Sequence, residues 1–387
     1  MELYTFGFDI QSSSQNLPQN TQTPTRTPAS PSTINLLAGP SIKILWTSWC
    51  DAVISCARAQ YLGTGLNSSH ISQLESLVYK PSKSPIFFGN PLHAGLEGVA
   101  ISTPSAPQKT TIHLFPLDQG LDIKLLHPPD DHEIQHIATT HSGHIAIITS
   151  TPRLTTISIF QFPSIADFQN WLEHKTQPHP IYTTSEPFAS LLANATTFTA
   201  LTTTGRVLTW SPDSRFPRLQ ARETGSAVPE SIAYLSEMRI VKIASGGYMA
   251  AALSEDGELY LWGQACPGTE GELGILGGRS ASGGEDEMEE DGDEFVNIAS
   301  IEVEGDEARV VDVAIGCGHI LCAVSTDLRG LLSRRVFAAG QNENGQLGLD
   351  TAGNFVEEFR EVEAFKERKV ESLVCAGWSS WVVVEKE

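Results

Sequence analysis

Residues His132-Glu133-Ile134-Gln135-His136 spell H-E-x-x-H, a pattern that can hold zinc and hydrolyse a bond. That chemistry needs both histidines on one face of a helix, one turn apart, with the glutamate as general base. The preceding Pro128-Pro129-Asp130-Asp131 could start such a helix. The stretch that follows, IATTHSGHIAIITS from Ile137, is rich in β-branched residues and fits a strand instead. A third ligand would have to come from His141 or His144, and neither has the spacing of a zinc peptidase. A zinc hydrolase built on His132, Glu133 and His136 is therefore the least favoured of three readings. His319, in AIGCGHILCAV, is either a packed histidine or part of a partner surface. His93, in GNPLHAGLEG, has no assigned role. The sequence contains no Gly-x-Ser-x-Gly elbow, and no carboxylate pair stands out from the acidic background. The expectation is a protein without catalytic residues or cofactor.

The six cysteines, Cys50, Cys56, Cys266, Cys317, Cys322 and Cys375, form no C-x-x-C pair, which fits reduced, packed thiols in an intracellular protein. The chain has 387 residues, enough for two average domains or one large all-β domain, and its 32 Gly and 22 Pro imply many turns. Its net charge of −21 is concentrated in residues 252–387, which hold 29 acidic and 10 basic side chains. Such a charge repels phosphates, so direct nucleic-acid binding is not expected, and a basic protein partner fits better. MELYTFGFDIQSSS has no basic start and no long apolar run, so neither a signal peptide nor a membrane span is expected. The nucleus, the cytoplasm or both are the expected locations.

Elements that could position these residues emerge from a repeat. Arg239–Gly263 reads as an Ile-x-x-Ile-Ala opening, small glycines, an apolar run, the turn Asp256-Gly257, and a strand ending Trp262-Gly263. Asp-Gly between two apolar runs is a strong hairpin signal. Shifted back by 52 residues, Leu253, Gly257 and Trp262 land on Leu201, Gly205 and Trp210. The opening recurs at Ile134 with Ile137-Ala138, at Val310 with Val313-Ala314, at Val370 with Leu373, and more loosely at Ile42 with Leu45. A degenerate copy is expected over residues 86–115. These units make seven, one of them split, because MELYTFG supplies the second half of a unit and AGWSSWVVV the first half. A unit of a few strands cannot bury both sheet faces alone, so neighbours must stack, and radial stacking gives a β-propeller. The predicted fold is all-β: one seven-bladed propeller over residues 1–387, closed by pairing of the N-terminal strand with the C-terminal blade.

FAAGQNENGQLGLD carries Gly340-x-Asn342-x-x-Gly345-Gln346-Leu347-Gly348, and LYLWGQACPGTEGELG carries the same frame with an insertion. This resembles the repeat of the regulator of chromosome condensation family, whose members are seven-bladed propellers closed through both chain ends. The resemblance is good over residues 232–387 and 1–9 and thin over 42–210, where the Gly-Gln-Leu-Gly segment is missing and Ser211 follows Trp210. It implies structural roles for Gly7, Trp262, Gly263, Gly340, Asn342, Gly345, Gln346, Leu347 and Gly348. It also implies two uses. One is a monomeric, non-enzymatic adaptor for another protein, basic or chromatin-associated, in chromatin or RNA-modification pathways. The other is a guanine-nucleotide exchange factor for a Ran-type GTPase. The region Ser41–Gly98, with Thr47-Ser48-Trp49, is similar to the small adaptor-type members, and no basic N-terminal tail of the kind a nucleosome-docking member uses is expected.

Connections that follow the motif glycines must all leave from one side of the disc. They include a low-complexity stretch over residues 11–33 and an acidic loop over residues 280–308, whose residues 285–294 hold eight acidic and no basic side chains. Candidate partner contacts are Trp378, His319, Tyr248 and the acidic Glu285, Asp286, Glu287, Glu289, Glu290 and Asp291. Trp381, on a strand, is expected in the core.

Overall fold

A computed structural model describes the chain except for residues 9–31, 34–40, 57–58, 79–83, 104–105, 117, 119, 130–131, 152–154, 270, 275, 277–294, 329–330, 350–352 and 387. The strands fall into seven blades around one axis. Blade 1 comprises Lys43–Thr47, Asp51–Ser55 and Ala59–Gly63. The inner strands of blades 2 to 6 are Ile86–Asn90, Glu133–Thr139, Phe188–Ala193, Ile240–Gly246 and Arg309–Ile315, and each is followed by three antiparallel neighbours in chain order. Blade 7 is split. Val370–Ala376 and Ser379–Val384 come from the end of the chain, and Glu2–Gly7 and Ser32–Thr33 from its start.

The seam between the chain ends is in register from Glu2 opposite Val384 to Gly7 opposite Ser379. Leu3 alternates inward and is 1 % exposed. Arg368 clasps the seam from outside: its Nη2 donates to Glu2 at 2.6 Å, and its guanidinium lies 4.9 Å from the Tyr4 ring centre. Gly7 ends the strand at φ +99°, and a Cβ there would sit 2.3 Å from the Trp378 carbonyl oxygen. Gly263 and Gly340, at the same place in blades 5 and 6, repeat the conformation with φ +127° and +104°.

Every blade interface has its own apolar cluster. Leu3, Ile42, Ile54 and Trp381 join blade 7 to blade 1. The next interfaces around the ring are packed by Tyr61 with Phe87 and Phe88 with Phe160, then by Phe198 with Ile148 and Ile243 with Leu201. Leu261 with Val313, and Phe6 with Leu321, complete the circle. Asp312 adds a polar tie across three blades. It pairs with Lys242 of blade 5, accepts from its neighbour Val313 N at 2.9 Å, and accepts from Leu373 N of blade 7 at 2.8 Å.

The motif residues wedge these interfaces. Asn342 Oδ1 accepts from Leu347 N at 3.1 Å, and Gln346 Oε1 accepts from Asn344 N at 2.9 Å, which folds the loop onto itself. Gly345 N bonds back to Asn342 O at 3.0 Å, and Gly348 N to Gly345 O at 3.1 Å. Leu347, fully buried, then enters the cluster between blades 6 and 7. Leu273 of Gly271-Glu272-Leu273-Gly274 does the same between blades 5 and 6. Trp262 is fully buried and donates its Nε1–H to Leu219 O at 3.1 Å.

Where the motif is missing, other elements fill the gap. Helix α1, Ser68–Val78, inserts Leu74 between blades 1 and 2. Helix α2, Ile165–Leu172, is capped by Ser164 and packs Phe168, Trp171 and Leu172 against blades 2 and 3. Among the described residues no helix is long and apolar enough to cross a membrane.

Two expected boundaries are corrected. Ser32–Thr33, placed by sequence in the low-complexity loop, pairs with Tyr4 and Thr5 as the outer strand of blade 7. Residues 297–308, placed in the acidic loop, contain the outer strand of blade 5, Asn297–Ala299, and a small hairpin, Glu302–Val303 with Asp306–Glu307. Alternating apolar residues there pair with a strand edge that needed a partner.

Because the ring depends on the seam, truncating its inward residue should unfold the whole protein cooperatively. Leu3→Ala is expected to cost about 2–5 kcal/mol, read from the urea unfolding midpoint. Thr224→Ala, on an exposed loop, should stay within about 0.5 kcal/mol.

Candidate interaction face

The turn between the inner and second strands of each blade lies on the same face as the loop that follows the third strand. Seven such turns surround the channel mouth, and each touches the next. Trp49 N donates to Pro91 O at 2.9 Å, linking blades 1 and 2. Asn90 Nδ2 donates to His141 O at 2.9 Å, linking blades 2 and 3. His141 N to Asn194 O (3.1 Å), Ala195 N to Gly247 O (2.8 Å) and Cys317 N to Gly377 O (2.7 Å) carry the circuit onward. The remaining joints are too tight for side chains. A Cβ on Gly247 would lie 3.1 Å from Cys317 Cα, and one on Gly377 would lie 2.6 Å from Trp49 Cβ. The result is a rigid platform around a channel cavity of about 410 Å³ that residues from all seven blades line, from Trp46 to Cys375.

Aromatic side chains stand on this platform. Trp378 and Tyr248 occupy matching turn positions in blades 7 and 5, and both are half-buried. Trp49 packs edge-on against Trp378 with centroids 6.4 Å apart, and Phe8 lies 5.9 Å from Trp49. Tyr248 packs edge-on against Phe216 at 5.3 Å, with Arg215 over the same Phe216 ring. Sequence reading named Trp378 and Tyr248 and missed Phe8, Trp49 and Phe216. Trp49 could have been found, because it sits in the blade 1 turn at the position before that of Trp378 in its own turn.

His319 is elsewhere. It occupies the start of the second strand of blade 6, has no exposed surface, and offers nothing to a partner. Ser380 Oγ donates to Gln346 O at 2.7 Å, so it accepts from His319 Nε2–H at 3.0 Å. This chain joins blade 6 to the closing strand and to the motif loop. Burial lowers the His319 pKa to about 4. Glu285, Asp286, Glu287, Glu289, Glu290 and Asp291 lie outside the described residues.

The H-E-x-x-H residues do not form a zinc site. Glu133–Thr139 is the inner strand of blade 3, with a bulge at Gln135. His132 packs edge-on against Phe160 and contacts Thr149 Oγ1 at 3.1 Å, whereas His136 Nε2 meets Phe188 O at 3.3 Å. The one-turn helical spacing that zinc needs is absent from this strand. Among the described residues no three His, Cys, Asp or Glu side chains gather as a metal site. Burial raises the Cys50, Cys317 and Cys375 thiols to about 12, which keeps them protonated and poor nucleophiles.

No protein-family model matches the chain. RUG3, a mitochondrial RCC1 domain-containing protein of Arabidopsis thaliana, is 34% identical over 126 residues, covering 33% of this chain and 26% of the relative. The human E3 ubiquitin-protein ligase HERC2 is 28% identical over 151 residues, 39% of this chain and 3% of the ligase. The matches thus span about a quarter or less of these relatives' length. Among solved structures, Prp20p of Saccharomyces cerevisiae superposes with a TM-score of 0.64 and 13% identity, covering 100% of this chain and 92% of that one. The chain therefore folds as a seven-bladed β-propeller like that of Prp20p, and over about a third of its length its sequence is similar to an RCC1 domain-containing protein.

A neutral, buried His319 makes stability depend on acid. The unfolded chain takes up this proton near pH 6.5 and the folded chain only near 4, so stability falls as pH drops through that window. Glu97, whose pKa burial raises to about 7, acts in the opposite sense over a similar range, which makes a paired comparison necessary. Between pH 7 and 4 the wild type should lose about 3 kcal/mol more than His319→Gln, measured by urea unfolding at each pH. Equal losses in both proteins would mean that His319 is protonated inside the fold.

Proposed function

We propose that the protein is a non-enzymatic adaptor that holds a partner protein on the turn-and-loop face of its propeller. The observation that carries this reading is the half-buried aromatic set Phe8, Trp49, Trp378, Tyr248 and Phe216 on a hydrogen-bonded platform. Aromatic side chains on rigid backbone offer large apolar contact at little entropic cost, as binding hot spots do. The net charge of −21 favours a basic partner. Prp20p is described by its binding to Gsp1p and histones, which supports a protein partner of chromatin type and a nuclear location for this chain. The mitochondrial relative RUG3 supports an organellar setting as the alternative location, and the RNA-modification use rests on the repeat resemblance alone. The propeller acts as a monomer in this reading.

The test is affinity capture of the tagged full chain from its source cells, with quantitative mass spectrometry. A stoichiometric partner should be captured, and Trp378→Ala and Tyr248→Ala should reduce it at least tenfold while leaving the thermal midpoint within a few degrees. Undiminished capture by both variants would move the interface off this face.

The exchange-factor reading rests on the fold shared with Prp20p. It makes a separate demand: stoichiometric protein must accelerate guanine-nucleotide release from a Ran-type GTPase. The adaptor reading expects no acceleration, and a rise of tenfold or more would replace it.

A further inference from the structure

Blade 6 carries a second surface, at its outer edge, that the platform does not use. Its outer strand, Phe355–Glu361, follows the third strand until Ala338, opposite Arg360, and resumes at Gly340, opposite Val356. Residues 357–359 therefore bow away from Ala339. The bow opens a trough of about 410 Å³ between blades 5 and 6. Its apolar lining comes from Leu273, Ile301, Phe337, Ala339 and Phe359. Its volume falls within the roughly 300–1,000 Å³ of ligand pockets and suits one large apolar side chain with its neighbours.

The rim is acidic on both walls. Glu357 and Glu358 stand on the bow, and Glu302 stands on the facing hairpin; all three are exposed and line the trough. No ion pair engages them among the described residues, and Arg360 is not part of the lining. The neighbouring wall is closely fitted. A Cβ on Gly274 would lie 3.4 Å from Glu357 Oε1, and one on Gly271 would lie 2.7 Å from the Phe355 ring. The outer strand has no sheet neighbour on its far side among the described residues, so an extended chain can lie along it.

We propose that this trough docks an extended, lysine- or arginine-rich segment of a partner protein, anchored by one large apolar side chain. Charge complementarity selects the occupant: three exposed carboxylates with no ion-pair partner among the described residues, set around an apolar floor, favour cations on both sides of an apolar anchor. The inference stands apart from the platform reading, since the two surfaces lie at different places on the propeller.

The probe is a fluorescein-labelled peptide with a central phenylalanine between two short runs of lysine, titrated with the full chain by fluorescence anisotropy. Saturable binding is expected, with about tenfold weakening for the peptide with alanine at its centre. The triple variant Glu302→Gln, Glu357→Gln, Glu358→Gln should weaken binding by at least tenfold. Its exposed positions should leave the unfolding midpoint unchanged. Equal binding of the phenylalanine and alanine peptides would overturn the apolar anchor and with it the trough. Full binding by the triple variant, with loss on deleting residues 285–294, would place the contact on the acidic segment and overturn the proposal. Binding that emerges only after that deletion would make the chain's own segment the occupant, which also overturns it.

Discussion

A four-stranded sheet with two apolar faces is not stable alone in water, because each face must be covered by another sheet. In a ring of such sheets the condition is met everywhere only if the last sheet meets the first. The whole structure depends on that junction. Here the junction lies within a blade, so the closing contacts are the backbone pairs between Glu2–Gly7 and Ser379–Val384 as well as the side chains of Leu3 and Trp381. Backbone pairing fixes the register of closure, and apolar burial supplies most of its free energy. The Arg368 clasp onto Glu2 and Tyr4 is partly exposed and adds little to stability; it holds the first strand at the seam's outer edge.

Each remaining interface needs a wedge, because twisted blades diverge as they leave the axis. Between blades 5 and 6 and between 6 and 7 the wedge is the leucine of a glycine-flanked turn, Leu273 or Leu347. In the first half of the chain helices α1 and α2 bring larger apolar side chains to the same task. Two local solutions thus serve one packing demand. The blades remain recognisable while the sequence motif vanishes.

This difference explains what could be read from the residues. Residues 232–387 display hairpin turns, strand-ending glycines and wedge leucines at fixed spacing, so fold, blade number and closure were legible. The helices of residues 42–210 were less so, since their apolar residues answer to a neighbouring blade and not to the repeat. The H-E-x-x-H pattern shows the opposite hazard. Its Ile134 and Ile137 sit on the repeat register and pack between blades 2 and 3, which fixes a strand and spreads the histidines apart. His319 was ambiguous because a polar residue beside a turn can face either way. The partner that draws it inward, Ser380, lies 61 residues further on in another blade. The trough on blade 6 was invisible for a related reason: it exists only because three residues bow past a single alanine in the next strand.

Platform and ring are coupled through the turns. The backbone bonds that link Trp49 to Pro91 and Cys317 to Gly377 are made by the same residues that reverse the innermost strands. Aromatic side chains on these turns are thus held by the closed ring, and their positions do not depend on the long loops around them. A face built this way takes its shape from backbone bonds between neighbouring blades. Closure of the propeller therefore fixes the geometry of this face as well as the stability of the ring.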